Sequence, residues 1–287
     1  MPWLLLSLCM LLGAQGPPSS LKGRIQQLID ASGAEVSVVL RTLDGKDEVL
    51  IDPDRSFHAA STMKVPVMIE LFRQANAGQL KLDEPLPIKN QFHSIVDGSV
   101  YQLSVGDDSD AEIYKAVGTS LPLRALCEAM ITVSSNFAAN LLIERVGAAN
   151  VRTTVRRLGA DGMYVLRGVE DQKAFDQGLS NSTTARALAT LMQDLAEGKA
   201  VSPAADAEMV AILKRQKFND AIPAGLPAGT PIAHKTGTIT KIHHDAAIVF
   251  GPRPYVLVVL VRGIQDQKVS GPLMASISRE IWQELSK

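Results

Sequence analysis

Three short polar motifs stand in one order along the chain: Ser61-Thr62-Met63-Lys64, then Ser134-Ser135-Asn136, then Lys235-Thr236-Gly237. Each supplies a part that serine acyl transfer requires. A serine hydroxyl is a weak nucleophile until a neighbouring base takes its proton, and a lysine can be that base once burial or nearby cations lower its pKa. Ser61 and Lys64 are three residues apart, so on a helix they share one face. Residues 62–75 carry helical apolar spacing at Met63, Val67, Met68, Leu71 and Phe72, with Gly78 as a stop signal and Pro66 tolerable near the start. A serine at such a helix N-terminus meets free N–H groups and the positive end of the dipole, which favour a developing oxyanion. Ser-x-x-Lys alone is a weak pattern, since Ser19-Ser20-Leu21-Lys22 matches it too. It is the three motifs together that carry the assignment.

The elements that must position these residues follow from periodicity. Residues 24–32 read as a helix, 36–41 and 47–51 as a hairpin about Asp44-Gly45, and most of 61–216 as helices joined by loops. Strands return at 231–240, 246–250 and 255–261, and a helix over 271–285 closes the chain. Strands, then helices, then strands predict an α+β fold, an antiparallel sheet flanked by helices with an all-helical domain inserted into it. The expected division is 17–60 plus 217–287 for the α/β domain and 61–216 for the helical one. A cleft is expected where they meet.

Ser-x-x-Lys, Ser-x-Asn and Lys-Thr-Gly in this order resemble the penicillin-recognising serine hydrolases, and spacing and flanks resemble class A β-lactamases. The flanks include Leu82-Asp83-Glu84-Pro85, Leu126-Cys127-Glu128-Ala129-Met130, Ala138-Ala139-Asn140-Leu141-Leu142 and Ala224-Gly225-Leu226-Pro227. The resemblance implies the same fold and a β-lactam amide substrate acylating Ser61. Lys64 would act as base or proton relay, and Ser134 would protonate the leaving nitrogen. Asn136 would bind the substrate's side-chain amide, Lys235 and Thr236 its carboxylate, and Gly237 would precede Thr238, whose N–H joins that of Ser61 in an oxyanion hole. Which group deprotonates Ser61 stays open.

The chain departs from the family pattern at several points. The middle motif has Ser135 where Asp is usual, an acid expected to brace the loop. The Ω-loop signature is replaced by Arg167-Gly168-Val169-Glu170-Asp171-Gln172-Lys173-Ala174, with Asn181-Ser182-Thr183-Thr184 before the next helix. Glu170 is the candidate deacylation base, a carboxylate able to orient water against an ester, ahead of Asp171 and Asp176. The Asn expected four residues later is Ala174. No arginine stands at either position from which relatives reach the carboxylate pocket, so Lys241 or His244 is expected to supply positive charge there, His244 in a pH-dependent way. His243 and His244 adjoin Asp245, but strand neighbours face opposite ways, and neither metal nor cofactor is expected. In the long segment 92–110, Ser109 stands where relatives keep a gating aromatic, and the reading is a solvated loop.

Residues 3–12 form an apolar run too short to span a bilayer, followed by small and turn residues, which predicts a secretory signal peptide over 1–16 and a secreted or periplasmic protein. Cys9 falls within this leader, after a poor lipobox. With the leader removed Cys127 is the only thiol, on an apolar helix face, and no disulfide can form; the position that pairs with it in some relatives is Met68. With 46% hydrophobic residues and a net charge of −1 the chain has ample core and no bias toward nucleic acid or acidic membranes. A monomer binding a β-lactam small molecule is expected. Two alternatives differ in consequence: a penicillin-binding D-Ala-D-Ala peptidase or esterase that turns over lactams slowly, and a non-catalytic peptidoglycan-binding protein. An activated serine is superfluous in the second.

Overall fold

The structure is a computed structural model and describes residues 20–287; the expected leader, with Cys9, lies outside the described residues. Five strands form one antiparallel sheet: β1 (Glu35–Thr42), β2 (Glu48–Ile51), β3 (Ile232–Ile239), β4 (Ile242–Val249) and β5 (Tyr255–Arg262), in the order β2-β1-β5-β4-β3. The central strand β5 reads Tyr-Val-Leu-Val-Val-Leu-Val-Arg, a run of apolar residues that suits burial on both faces. Its alternate residues serve two cores. Val256, Val258 and Leu260 face the larger one, whereas Tyr255, Leu257, Val259 and Val261 face the smaller.

The smaller core is closed by the terminal helices α1 (Leu21–Ser32) and α9 (Gln267–Leu285), with Arg24 reaching Glu280 and Glu284 at 2.8 Å each. The larger core holds α2 (Lys64–Asn76), α3 (Leu123–Thr132), α4 (Asn136–Val146), α5 (Ala148–Arg157), the short α6 (Gln172–Asp176), α7 (Ala185–Glu197) and α8 (Pro203–Leu213). Helix α7 lies across β1, β4 and β5, and α2 is buried through nine consecutive residues from Lys64 to Phe72. A helix so enclosed must satisfy its polar groups internally. Glu70 does so, accepting from Arg73 at 2.7 Å, Gln74 at 2.7 Å and Thr154 at 2.6 Å, which ties α2 to α5.

Two boundaries differ from expectation. Strand β4 begins at Ile242 instead of 246, because His243, His244 and Asp245 hide the apolar alternation. Helix α9 begins at Gln267 and carries Pro272 inside it, capped by the Asp266 side chain on the N–H of Lys268 at 2.8 Å. Among the described residues no helix is long and apolar enough to cross a membrane.

Candidate active site

Ser61 sits in a 3-10 turn, Ala60–Met63, that runs directly into α2, so the expected helix begins one tight turn further on. Ala60 ahead of it has φ +46°, and its N–H is held by the His58 ring at 3.0 Å. The Ser61 hydroxyl bonds to no described residue and faces two clefts, one of ≈ 530 Å³ and one of ≈ 320 Å³. The edge strand β3 approaches closely: a Cβ on Gly237 would stand 3.0 Å from the backbone nitrogens of both Ser61 and Thr62. A side chain at 237 would crowd the gap between that strand and the turn.

One turn along, Lys64 is fully buried and reaches three acceptors: the Ser134 carbonyl at 2.6 Å, the Asn136 Oδ1 at 2.8 Å and the Ser134 Oγ at 3.3 Å. Burial pushes its pKa down to about 7, against the attraction of Asp108 and Glu170. Lys235, also fully buried, donates to Ser134 Oγ at 3.0 Å and to the Thr236 carbonyl at 2.9 Å. Burial and the neighbouring Lys64 charge lower its pKa as well. With Lys235 donating to Ser134 Oγ, the serine's own proton is free to point at Lys64. A neutral Lys64 can spend two protons on the Ser134 and Asn136 carbonyl oxygens and keep a lone pair for a hydroxyl.

Asn136 links the two halves of the site. Its Oδ1 accepts from Lys64 and its Nδ2 donates to Glu170 Oε1 at 2.7 Å. Glu170 lines the smaller cleft with Ser61 and Thr238; loss of hydration there raises its pKa, with the Asn136 bond acting against it. Asp171 and Asp176 are otherwise engaged. Asp171 accepts from Ser94, Ile95 and Ala174 and caps α6, and Asp176 accepts from Gln172. Ala174 is buried and brings no polar side chain to the cleft.

The acid absent from the middle motif is supplied from elsewhere. Asp108, in the segment read as a solvated loop, accepts from the N–H groups of Asn136 at 3.0 Å and Phe137 at 2.8 Å, and from the Tyr114 hydroxyl at 3.1 Å. Ser135 caps the same helix on the N–H of Ala138 at 3.2 Å. Asp107 and Ser109 beside it line the larger cleft, so this segment forms a wall of the site. Its run of acids was the available signal.

Two buried asparagines also escaped the sequence reading. Asn140 holds Val169 through both its N–H (2.6 Å) and its carbonyl (3.0 Å). Asn181 accepts from Leu166 at 2.7 Å and Arg167 at 3.1 Å and donates to the Arg167 carbonyl at 3.0 Å. Asn140 lies in an apolar helical stretch and Asn181 just before α7, and neither position carries a local sign of its burial.

The structure brings together Ser61, Lys64, Ser134, Asn136, Glu170, Lys235, Thr236, Gly237 and Thr238, but not His244. That ring is fully buried beneath the sheet, edge-on to Phe57, with Nε2 on the His58 carbonyl at 3.0 Å and Nδ1 accepting from Val261 at 3.1 Å. Burial drops its pKa to about 4, so it is no cation for a carboxylate. The turn Thr240–Lys241 sets the parity of β4 so that His243 lines the larger cleft instead, its Nδ1 2.8 Å from Ser270 Oγ. Lys241 is exposed at that hairpin tip.

Residues 20–285 match the β-lactamase enzyme family as a whole. The chain is 24% identical over 290 residues to the extended-spectrum β-lactamase PER-1 of Pseudomonas aeruginosa, covering 96% of this chain and 90% of that enzyme. It is 26% identical over 246 residues to β-lactamase CTX-M-97 of Escherichia coli, covering 85% and 80%. Among solved structures, PBP-A superposes with a TM-score of 0.81 at 28% identity over 95% of this chain and 98% of its own. The ancestral class A β-lactamase GNCA superposes with a TM-score of 0.80 at 26% identity, over 92% and 100%. With the serine, its two lysines and the Lys-Thr-Gly strand brought together, and a family match spanning nearly all the described residues, the chain belongs to the β-lactamase enzyme family, in class A.

Proposed function

We propose that the protein hydrolyses β-lactams through an acyl-enzyme on Ser61, and that Glu170 drives deacylation. Lys64 takes the Ser61 proton as Oγ attacks the lactam carbonyl, and the oxyanion rests between the N–H groups of Ser61 and Thr238. As the C–N bond breaks, Ser134 gives its proton to the departing nitrogen and recovers one from Lys64. Lys235 and Thr236 hold the substrate carboxylate, and Asn136 its side-chain amide. In the second half Glu170 takes a proton from water, the hydroxide attacks the ester, and Ser61 leaves with a proton returned to it. The observation that carries this reading is the single chain of contacts Lys235–Ser134–Lys64–Asn136–Glu170, with Ser61 open to the clefts on both its sides. The predicted leader makes this an exported enzyme.

One observation favours a second reading, a penicillin-binding peptidase or esterase that deacylates lactams slowly. Ala174 offers no amide to help Glu170 hold a water, and PBP-A is among the similar structures. The test follows a chromogenic cephalosporin through many turnovers while intact mass is recorded. Sustained hydrolysis lost in Ser61→Ala, with acyl-enzyme accumulating in Glu170→Gln, supports the first reading. One-equivalent acylation that stalls supports the second, and unimpaired turnover in Glu170→Gln removes that residue from the mechanism.

A further inference from the structure

One buried side chain in the wall of the larger cleft has no part in the chemistry above. His243 is 3% exposed, and its Nδ1 lies 2.8 Å from Ser270 Oγ in the first turn of α9. Ser270 is itself 1% exposed, and its hydroxyl meets no other acceptor among the described residues. A buried hydroxyl proton left unused is costly, whereas a hydroxyl oxygen without a donor costs less, so Ser270 donates to Nδ1. Burial lowers the His243 pKa from its ordinary value, against the attraction of Asp220 and Asp245, so near neutral pH the ring holds one proton. With Nδ1 accepting, that proton sits on Nε2.

Nε2 has no partner among the described residues and is not sealed in protein, so its N–H opens to the cleft that the ring lines. Strand register sets what stands beside it. His243 lies directly opposite Thr238 on β3, and Asp245, two residues on, lies opposite Thr236. His243 therefore shares one face of the sheet with both threonines of the Lys-Thr-Gly-Thr run. The exposed charges of this cleft are mixed, Lys217 against Asp107 and Asp220, and leave an anion there dependent on fixed donors. His243 is such a donor, carried on a strand and held in one tautomer by a helix.

We infer that His243 is a substrate-binding residue whose Nε2–H, aimed by Ser270, donates to the substrate carboxylate beside Thr236 and Thr238. This assignment rests on the acyl-transfer reading of the site, and on nothing that separates a lactamase from a peptidase, since both substrates carry that carboxylate. The contact is made equally in bound substrate and transition state, so its loss weakens binding and spares the limiting rate.

The test is stopped-flow acylation by a chromogenic cephalosporin and by its carboxylate methyl ester, in wild type, His243→Phe and His243→Gln. For the free acid, His243→Phe should raise the half-saturating concentration about tenfold, the worth of one charge-assisted hydrogen bond, with the limiting rate within about twofold. The ester offers only a neutral acceptor and should lose less than about threefold. His243→Gln, whose amide N–H reaches as far as Nε2, should recover most of the acid's affinity. Equal losses for acid and ester, no loss for the acid, or no recovery in His243→Gln would overturn the assignment. Should the variants not fold, nitrogen-edited NMR of the histidine-labelled wild-type protein near neutral pH decides it, with His243 assigned by its shift in Ser270→Ala. A protonated Nε2 with an unprotonated Nδ1 is expected, and the opposite tautomer or a proton on both nitrogens overturns it. A protein acylated by neither compound refutes the acyl-transfer reading instead, and the NMR result then decides the donor.

Discussion

If Lys64 is the base that activates Ser61, the acylation rate must follow the neutral fraction of that amine. Burial sets its pKa at about 7, so roughly half is neutral at pH 7, about 10% at pH 6 and about 1% at pH 5. A lysine at its ordinary 10.5 would be neutral in only about 0.03% of molecules at pH 7, so burial raises the supply of base by roughly a thousandfold. Acylation should accordingly climb about tenfold per pH unit up to 7 and then level. At higher pH it should fall again as Lys235, whose pKa is also lowered, loses the charge proposed to hold the substrate carboxylate. The Glu170→Gln variant separates this mechanism from one in which Glu170 is the acylation base. The Glu170 charge raises the Lys64 pKa, so removing it moves the acid limb to lower pH while the limb persists. Stopped-flow measurement of the acylation phase from pH 4.5 to 9, in both proteins, reads this directly. A flat wild-type profile between pH 5 and 8, or a variant whose acylation collapses, would refute the role given to Lys64.

Three further outcomes are expected. Gly237→Ala places a methyl 3.0 Å from the Ser61 and Thr62 nitrogens, displacing oxyanion donors, and acylation should drop about 10²-fold with little change in melting temperature. Asp108→Ala strips the acceptor from the Asn136 and Phe137 N–H groups at the start of α4, costing about 1–2 kcal/mol, the size of a lost helix cap, or a melting point about 2–6 °C lower by calorimetry. Cys127 is buried with its thiol pushed up to about 12, so a thiol reagent should leave the folded protein untouched and label it only as fast as it unfolds.

Local spacing made the grouping of the candidate residues legible, because Ser61 with Lys64, Ser134 with Asn136, and Lys235 with Gly237 are each set by one turn or one strand. The fold class was legible for a similar reason: β5 is apolar along nearly its whole length, and the helices between β2 and β3 keep their periodicity. Parity across a hairpin was not. Whether His243 or His244 enters the cleft depends on one residue in the turn at Thr240–Lys241, and a single step exchanges every side chain between faces. Replacement across space was equally hidden. Ser135 appeared to have lost an acid, yet Asp108, twenty-eight residues away from Asn136, delivers a carboxylate to the start of the same helix.

The placement of Glu170 draws these threads into one physical account. Ala60, Ser134 and Glu170 all have positive φ without being glycine, at +46°, +60° and +62°, and all three lie within the site. Such backbone costs on the order of 1–3 kcal/mol per residue and persists only where surrounding contacts over-determine it. For Glu170 those contacts are the two buried asparagines, which bind residues 166–169 from opposite sides as strand partners would. Asn140 leaves no room for a side chain at 168, where a Cβ would stand 2.5 Å from its Oδ1. The glycine in this divergent loop is thus demanded by the amide that holds it. Asn140 grips the backbone of Val169 itself, and that grip sets the next residue, Glu170, against Asn136. The same network that strains the loop therefore aims its carboxylate, so loosening Asn140 should cost deacylation before it costs acylation.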